Sequence, residues 1–475
     1  MSGFVGRSAE LAELAEYLQL TQEGSRAERG LALLLRGRRR VGKSRLVTEF
    51  LARSSVPSVF FQAARFAPPR EELDRLARAV EESTLPLAPA ARGWHPSTLD
   101  EALSLLAGIL PDDQASVVVL DEVPWLLESF AGGAGQLQRV WDRELSRKPV
   151  LLIMLGSDLG IMEAINAYDQ PFHGRARQML LGPLTPKETG EMVGASGAAV
   201  FDAYLATGGF PAVAEDWRDG ESFEDFVSRS FARVNTPLAI SGRLVLDDEF
   251  PAATQARAVL TAIGGRGERT FTAIRDSCSG VVSPTALTRA LDTLTAKRVI
   301  VADEPLSTRK APKDRRWRVA DPSLRFWLAL VEPGLADIER GRPDLAIDRF
   351  TRGYPAWRGR AIEPVVRHAL LGLLIGDDPL AVGEVGGWWP RTNNPEIDLV
   401  GTDARPAHHV RFVGSIKWRM DRRVSQEDIA QLRASSRVVP GVDEATALVA
   451  VCPAGAEPGT GASRIWTAED LLAGR

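Results

Sequence analysis

The stretch from Gly37 to Ser44 constrains the fold of this chain more than any other part of its 475 residues. It reads Gly-Arg-Arg-Arg-Val-Gly-Lys-Ser and matches the pattern G-x-x-x-x-G-K-[ST] in full. An apolar, strand-like run, Leu31–Arg36, precedes it, and a helical pattern begins at Ser44. A chance glycine turn is the alternative. Because strand and helix flank the motif, the sequence favours a loop whose backbone N–H groups and helix N-terminus face phosphate oxygens.

The residues of this motif have separate expected roles. Lys43 should reach the β- and γ-phosphates of ATP, and the Ser44 hydroxyl should ligate Mg²⁺. The other positions expected to contact the nucleotide surround these two: Gly37, Arg38, Arg39, Arg40, Val41, Gly42 and Arg45. The sequence therefore predicts ATP and Mg²⁺ as cofactors.

The first 180 residues alternate apolar runs with helical patterns, as a parallel α/β sheet does. The predicted strands are Leu31–Arg36, Pro57–Gln62, Ser116–Leu120, Pro149–Leu155 and Gln178–Leu181. The predicted helices between them are Ser44–Arg53, Arg70–Glu82, Thr98–Ile109 and Gly135–Arg147. Near-continuous apolar strands indicate a sheet that helices cover on both faces.

Two adjacent carboxylates, Asp121 and Glu122, end the buried strand that begins at Ser116. Alone, such a pair is equally typical of a solvated loop. Together with the phosphate loop it predicts that Asp121 holds Mg²⁺ and that Glu122 orients and deprotonates the attacking water. The additional strand Pro57–Gln62 between the two motifs indicates the branch of P-loop proteins that uses a carboxylate base.

Two further side chains are candidates for the reaction. Ser157 follows the next predicted strand and could bond the γ-phosphate or the lytic water, or else cap a helix beginning near Gly160. Arg175 precedes the last predicted strand and could reach a γ-phosphate in cis or across a subunit interface. A surface arginine is the alternative, since the chain has only seven lysines among its 58 basic residues.

Composition excludes several other classes of protein. The formal charge is −4, so nucleic-acid contact would need a local basic patch. The two cysteines, Cys278 and Cys452, exclude a disulfide framework and indicate a reducing compartment. The first residues show no basic segment followed by an apolar one, and the longest apolar runs are too short to span a bilayer. We expect no membrane partner and a cytoplasmic location.

Residues 254 to 320 predict a winged helix. Thr254–Ile263, Phe271–Asp276 and Ser283–Arg298 read as three helices, and Val299–Ala302 with Arg316–Val319 reads as a hairpin. Basic residues on the third helix and around the hairpin are the expected DNA contacts: Arg289, Arg309, Lys310, Lys313, Arg315 and Arg316. The alternative is a winged helix that contacts protein or separates domains.

The N-terminal half resembles the archaeal-type ATPase family of the AAA+/STAND group. The resemblance rests on the phosphate loop, on Phe4-Val5-Gly6-Arg7, on Leu120-Asp-Glu-Val-Pro-Trp125 and on the turn Gly208-Gly-Phe-Pro211. It implies that Phe4, Val5, Gly6 and Arg7 line the adenine side and that Gly208–Pro211 belongs to a nucleotide-sensing helical lid. One departure is Gly156-Ser157-Asp158, where the family would have Gly-Ser-Ser.

The C-terminal part resembles the PD-(D/E)xK nuclease fold, and more narrowly the uncharacterised domain that often follows these ATPases. A helix acid, Glu363, a strand acid, Asp398, and Lys417 occur in the matching order, and Glu384 lies on a predicted strand. Ser415 stands where the second acid should be, and a hydroxyl is a poor replacement for a carboxylate on Mg²⁺. Glu363, Glu384 or Glu427 could compensate. The open alternatives are an active nuclease, a binding-only module, and a pairing of Asp398 with Lys417 inside the sheet.

The expected fold class is α/β: a P-loop NTPase parallel sheet with a helical lid, then a winged-helix domain and a restriction-endonuclease-like α/β domain. The expected boundaries are 1–182, 183–240, 241–330 and 331–475. The expected function is a Mg²⁺-dependent ATPase coupled to DNA binding and to a degenerate nuclease-like domain. The alternatives are a STAND-like signalling or scaffold ATPase, which allows a homo-oligomer, and an ATP-regulated nuclease.

Overall fold

The computed structural model describes residues 3–23, 29–157, 172–249, 255–265, 267–310 and 312–474, and five residues between 162 and 170. Asp158 and the expected helix start at Gly160 lie outside the described residues. The chain divides into two compact units. The first comprises the residues up to Leu184 and the short segment Phe210–Ala212, and the second comprises the remainder from Thr185 onward.

The first unit is built on a sheet of five parallel strands. The strands are β1 (Leu31–Arg36), β2 (Ser58–Gln62), β3 (Ser116–Asp121), β4 (Val150–Gly156) and β5 (Ala176–Leu180). Their order in the sheet is β2-β3-β4-β1-β5, so β1 lies between β4 and β5. Separate apolar clusters lie on the two faces of this sheet, since alternate residues of β1 contribute to each. This arrangement is the P-loop NTPase fold predicted from the sequence.

Among the described residues, six α-helices accompany this sheet. They are α1 (Ser8–Glu23), α2 (Lys43–Ser54), α3 (Pro69–Glu81), α4 (Leu99–Ile109), α5 (Val123–Glu128) and α6 (Gly133–Arg143). Local signals set their starts: Pro69 begins α3, and the Thr98 hydroxyl accepts the Glu101 N–H at the start of α4. The predicted strands and helices of this unit are confirmed to within a few residues at each end.

The second unit begins with helices, as expected from Thr185 onward. Its helices are α7 (Pro186–Val193), α8 (Ala198–Thr207), α10 (Phe223–Phe231), α11 (Pro237–Glu249), α12 (Gln255–Ile263), α13 (Phe271–Ser277), α14 (Pro284–Ala296), α15 (Pro322–Phe326), α16 (Leu335–Glu339), α17 (Pro343–Ala361), α18 (Glu363–Leu373), α19 (Gln426–Ser436) and α20 (Ala468–Leu472). The short helix α9 (Pro211–Ala214) begins in the segment grouped with the first unit. Gly208 has a φ of 62° and ends α8, which explains the predicted break there.

The second unit contains two sheets. The smaller one has the order β6-β8-β7, formed by β6 (Arg269–Thr270), β7 (Ile300–Asp303) and β8 (Arg316–Val319). We call the part from Gln255 to Val319 the middle segment. The three helices and the hairpin expected there are present, β6 is an addition, and the winged-helix assignment stays a prediction.

The larger sheet lies in residues 363–474, which we call the C-terminal module. Its strands are β9 (Glu384–Trp388), β10 (Ile397–Thr402), β11 (Val410–Ile416), β12 (Ala447–Val451) and β13 (Arg464–Trp466). The order is β13-β12-β11-β10-β9, antiparallel from β9 to β11 and parallel from β11 to β13. The nuclease-like assignment of this sheet stays a prediction.

One hydrophobic cluster extends through the second unit, from Val200 in α8 to Leu471 in α20. Within it, the rings of Phe201 and Trp418, which lie far apart in the sequence, meet edge to face at 4.9 Å. The predicted boundaries at 240 and 330 fall inside this unit and stay predictions. Within the described residues, none of the helices is both long and apolar enough to cross a bilayer.

Candidate functional site

The phosphate loop connects the end of β1 to the start of α2. Gly42 precedes the first helical residue with a φ of 95°, a conformation that glycine adopts without strain. At Gly37 a Cβ would lie 2.6 Å from the Leu181 carbonyl oxygen, so only glycine fits there. The conformation at Gly42 and the close approach at Gly37 therefore explain why glycine occupies both positions of the motif. The loop places backbone N–H groups at the N-terminus of α2.

Lys43 lies inside this loop, and only 6% of its surface is exposed. Its ammonium donates hydrogen bonds to Gly37 O at 2.8 Å, to Arg38 O at 3.2 Å and to Ser157 Oγ at 3.1 Å. Burial lowers the pKa of Lys43, while the carboxylates of Glu122 and Asp121 raise it. The ammonium is thus held inside the loop by two backbone carbonyl oxygens and the Ser157 hydroxyl.

Ser44 and Asp121 meet beside the loop. The Ser44 hydroxyl donates to Asp121 Oδ2 at 2.7 Å, and Asp121 Oδ1 accepts the Glu122 N–H at 2.9 Å. Burial raises the pKa of Asp121, and the Ser44 hydrogen bond opposes that rise. A hydroxyl and a carboxylate in contact are a suitable pair for Mg²⁺, which usually takes one or two protein ligands and completes its shell with water and phosphate oxygens.

Glu122 follows β3 with a φ of 55°, an uncommon conformation for a residue other than glycine. Glu122 is the single residue between the end of β3 and the start of α5 at Val123, so the chain changes from strand to helix at this residue. Glu122 Oε1 accepts a hydrogen bond from the Ser157 hydroxyl at 2.8 Å. Such strain is typical of residues that the surrounding structure holds for function. The structure thus brings Lys43, Glu122 and Ser157 together.

The N-terminal segment Phe4–Arg7 is tied to the phosphate loop by its arginine. Arg7 is buried, and its guanidinium donates to Val41 O at 3.3 Å and to Gly182 O at 2.7 Å. The side chain also pairs with Glu10 at 3.0 Å. Phe4 packs against the α2 face of the sheet, and the Arg53 guanidinium lies 5.8 Å from its ring. These contacts give Arg7 a structural role at the loop, and the adenine contact stays a prediction.

The remaining basic residues of the motif differ in exposure. Arg39, Arg40 and Arg45 are exposed, whereas Arg38 is half-buried. The Arg39 guanidinium lies 6.0 Å from the ring centre of Trp125 in α5. Pro211 of the glycine turn approaches the loop too, since its ring lies 3.7 Å from a Cβ placed on Gly42. Nucleotide contact by these side chains stays a prediction.

Arg175 is not brought to the phosphate loop. Ala176 pairs with Ala32 near the start of β1, whereas the loop follows the end of β1, so Arg175 lies at the opposite edge of the sheet, about 20 Å away. Its guanidinium binds Asp142 through Nε at 2.7 Å and Nη2 at 3.0 Å. The expected role in cis is therefore wrong, and a role across a subunit interface stays a prediction.

A second group of polar side chains lies in the C-terminal module. Asp398 faces Ser415 across β10 and β11, and its Oδ2 accepts the Ile416 N–H at 2.8 Å. Burial raises the pKa of Asp398, while the Ile416 N–H, Arg367 and Lys417, which follows β11, oppose that rise. Ser415 is buried, and its hydroxyl has no hydrogen-bond partner among the described residues. Glu363, at the start of α18, interacts electrostatically with Asp398.

Two other acids were expected near this group, and one of them, Glu384, lies away from it. Glu384 pairs with Thr402, four residues along β10 from Asp398, which corresponds to about 13 Å. Its carboxylate faces Arg405 instead, at 4.0 Å. Glu427 is exposed at the start of α19. The expectation that Glu384 compensates for Ser415 is wrong, because its side chain is placed elsewhere, and compensation by Glu427 stays a prediction.

The expected DNA-contacting residues fall into two sets. Arg289, Arg309, Lys310 and Lys313 are exposed, and so is Arg315, which pairs with Glu304 at 3.0 Å. Arg316 is buried: its guanidinium binds Glu396 at 2.6 Å and lies 4.2 Å from the ring centre of Trp389. The sequence expectation for Arg316 is wrong, because its charge is neutralised inside the protein.

The loop between β7 and β8 lies against the C-terminal module, which sequence reasoning did not predict. Leu306 is buried in the cluster that contains Trp388 and Val413, and its N–H donates to Gly387 O at 2.8 Å. The Trp389 indole donates to Asp314 O at 2.8 Å. An apolar leucine in an otherwise basic loop was the available signal for this contact.

Comparisons with known proteins gave one family match and several similar solved structures. Residues 327–430 match DUF234, a family described as archaea bacterial proteins of unknown function. The match lies within the second unit and covers part of the predicted C-terminal domain. A search of curated proteins gave no match. The predicted combination, a P-loop ATPase fold followed by the uncharacterised domain, is confirmed.

Several solved structures are similar to this chain at low identity. The Walker-type ATPase PABY2304 of Pyrococcus abyssi is 20% identical, with a TM-score of 0.48 over 68% of this chain and 96% of that one. The ORC2 protein of Aeropyrum pernix is 16% identical, with a TM-score of 0.46 over 73% of this chain and 96% of that one. The ORC1 protein of the same organism is 20% identical, with a TM-score of 0.34 over 71% and 94%.

Proposed function

We propose that this protein is a Mg²⁺-dependent ATPase whose nucleotide site is the phosphate loop of the first unit. The contact between Ser44 and Asp121 carries this proposal, because it places a hydroxyl and a carboxylate beside the ammonium of Lys43. Those three groups are what a Mg²⁺–ATP site requires. Bound Mg²⁺ would neutralise phosphate charge, with Ser44 and Asp121 as its protein ligands.

Residues of the chain would bind the phosphates and accept the proton of the attacking water. Lys43 would exchange its bonds to the loop carbonyls for bonds to the phosphates. Glu122, held by Ser157, would accept a proton from the attacking water. The 2.8 Å hydrogen bond from Ser157 supports this, because it fixes the orientation of the carboxylate before nucleotide binds.

Removal of the Lys43 ammonium tests the proposal. Lys43→Ala should lose ATP affinity and turnover, measured by nucleotide binding and phosphate release. Lys187→Ala, at an exposed lysine in α7, is the matched control and should behave as wild type. Unchanged ATP binding and turnover in Lys43→Ala would rule out this site.

We further propose that the middle segment contacts DNA and that the C-terminal module does not cleave it. The exposed set Arg289, Arg309, Lys310 and Lys313 supports the first part, because arginine and lysine neutralise phosphates. Ser415 in place of an acid supports the second. Changing these four residues to Ala should remove salt-dependent DNA binding in a gel-shift assay with and without ATP, whereas Arg433→Ala and Arg437→Ala in the C-terminal module should retain it.

The burial of Arg316 and Leu306 favours a second candidate, a STAND-like scaffold ATPase that acts through protein contacts. Both side chains use part of the loop of the middle segment for contact with the C-terminal module of the same chain, which leaves less of the loop for DNA. This candidate predicts nucleotide-dependent assembly, measured by light scattering, and no DNA affinity. The expected homo-oligomer belongs to this candidate, and the cytoplasmic location stays a prediction.

A further inference from the structure

The nuclease-like fold proposed for the C-terminal module implies a divalent cation beside Asp398. With the Arg367 guanidinium in place, the residues present do not fit one. Ser415 replaces the second acid, and Oδ2 of Asp398 is engaged by the Ile416 N–H. In the part of the chain that the structure describes, His, Cys, Asp and Glu side chains form no group of three suited to a metal ion.

Arg367, one turn along α18 from Glu363, lies at this place instead. Its Nη2 binds Glu363 Oε2 at 2.9 Å, and its Nε donates to the Asp398 carbonyl oxygen at 2.9 Å. Its Nη1 lies 3.7 Å from Glu268 Oε1. One guanidinium thus spans a helix acid, the backbone of the strand acid and a third carboxylate from the middle segment.

The backbone of β9 is shaped to accept this guanidinium. A Cβ on Gly387 would lie 2.6 Å from Arg367 Nη2 and 3.1 Å from its Cζ. Only 11% of the Arg367 side chain is exposed. Glycine at position 387 therefore leaves the space that the planar group occupies, which is an observation independent of the ion pairs.

Glu268 links Arg367 to a second buried arginine. Its other oxygen lies 3.4 Å from Arg316 Nη1, which also binds Glu396 at 2.6 Å. The second terminal nitrogen of Arg316 donates to Asn393 Oδ1 at 2.8 Å. Arginine and glutamate side chains thus connect the middle segment to the strand that carries Asp398.

We propose that the Arg367 guanidinium occupies the cation position of the C-terminal module, so that this carboxylate site binds the protein's own arginine instead of a metal ion. An arginine stays protonated under all ordinary conditions, so it excludes a divalent cation permanently. Through Glu268 and Arg316 the same group joins the middle segment to the module. The inference builds on the nuclease-like fold proposed above and does not depend on ATP hydrolysis.

Mn²⁺ binding to the full chain tests the proposal. Free Mn²⁺ is measured by electron paramagnetic resonance without nucleotide, in an Asp121→Asn background that removes the carboxylate of the phosphate site. Otherwise unaltered protein should bind no Mn²⁺ up to about 1 mM, the weak end of protein cation sites. Arg367→Ala should bind one Mn²⁺, and Arg367→Ala with Asp398→Asn should bind none.

Arg464→Ala is the matched control, because it removes an arginine of the same module that pairs with Asp378 at the surface. It should bind no Mn²⁺. Circular dichroism reports folding, and Arg367→Gln carries the same expectation if Arg367→Ala does not fold. A folded Arg367 variant that binds no Mn²⁺ would contradict the proposal.

Mn²⁺ binding by the protein with Arg367 intact, lost on Asp398→Asn, would overturn the inference. Without accompanying DNA cleavage, that result would leave the proposed non-cleaving function standing. Mn²⁺ binding accompanied by DNA cleavage would overturn both the Arg367 inference and the proposed non-cleaving function. ATP turnover in Lys43→Ala tests the ATPase proposal alone. Failure of the ATPase proposal can therefore be told apart from failure of the Arg367 inference.

Discussion

The Ser157 hydroxyl donates a 2.8 Å hydrogen bond to Glu122 Oε1. The same oxygen atom of Ser157 accepts a hydrogen bond from the Lys43 ammonium at 3.1 Å. Ser157 therefore connects the residue expected to bind phosphate to the residue expected to activate water. Variants of Glu122 and of Ser157 separate activation of water by the carboxylate from its orientation by the hydroxyl.

Glu122→Gln should retain ATP binding and lose turnover by about 100-fold or more, because the amide keeps the shape of the side chain but accepts no proton. Single-turnover phosphate release and nucleotide affinity measure the two effects. Glu128→Gln, an exposed acid at the end of α5, is the control. Equal loss of binding and turnover in Glu122→Gln would mean that the residue is structural.

Ser157→Ala should lower turnover by about 10-fold, with little effect on ATP affinity. The loss corresponds to about 1.4 kcal/mol, which is within the usual contribution of one hydrogen bond. Ser129→Ala is the control, since its hydroxyl donates to a backbone carbonyl within α5. If turnover in Ser157→Ala matched wild type, the hydrogen bond to Glu122 would have no part in catalysis.

Stability should fall with rising pH because of Glu363. Burial raises the pKa of this carboxyl to about 8, although Arg367 beside it opposes the rise. The unfolded chain releases the proton near pH 4.5, so the folded state is favoured below that pH and loses this advantage as pH rises toward 8. Glu363→Gln has no such proton, and its Tm relative to wild type should increase from pH 5 to pH 8.5.

The Tm of Glu427→Gln serves as the comparison for this pH series, because Glu427 is an exposed glutamate of the same module. Its Tm should run parallel to that of wild type. A constant difference between Glu363→Gln and wild type across the pH range would show that Glu363 is not held with a raised pKa.

Leu306→Ala should destabilise the second unit by about 2–5 kcal/mol, the usual cost of emptying a buried leucine site. Leu306 packs against Gly386, with side-chain atoms 3.1 and 3.2 Å from a Cβ placed there. Urea unfolding measures the effect, and Leu345→Ala, at a leucine 40% exposed, is the control. A loss below about 0.5 kcal/mol would show that the loop does not depend on this contact.

The sequence was most informative where local patterns determine structure. The strand before the phosphate loop, the glycines within it and the acid pair after β3 follow from apolar runs and motif spacing, so their positions were predictable. The site residues Lys43, Ser44, Asp121 and Glu122 were predicted for the same reason. Their hydrogen bonds to one another were not predicted in detail, because they depend on side-chain conformation.

The positions of Arg316 and Arg367 could not be predicted from the sequence, because they depend on ion pairs between residues far apart in the chain. Arg316 belongs to a basic cluster and looked exposed, but its partners Glu268 and Glu396 lie far away in the chain. Nothing in the sequence singles out Arg367, because the space that Gly387 leaves for its guanidinium exists only in the folded sheet. The strands β12 and β13 were also missed, since their pairing with β11 is set by the fold of the whole module.

The edge-to-face contact of Phe201 with Trp418 has an evolutionary consequence. It places a helix near the start of the second unit against the segment that follows Lys417. A recombination event that replaced only the C-terminal module would give Phe201 an unmatched neighbour and expose aromatic surface to water. Descendants of this chain should therefore inherit the second unit whole, and its parts should diversify by paired substitutions rather than by exchange.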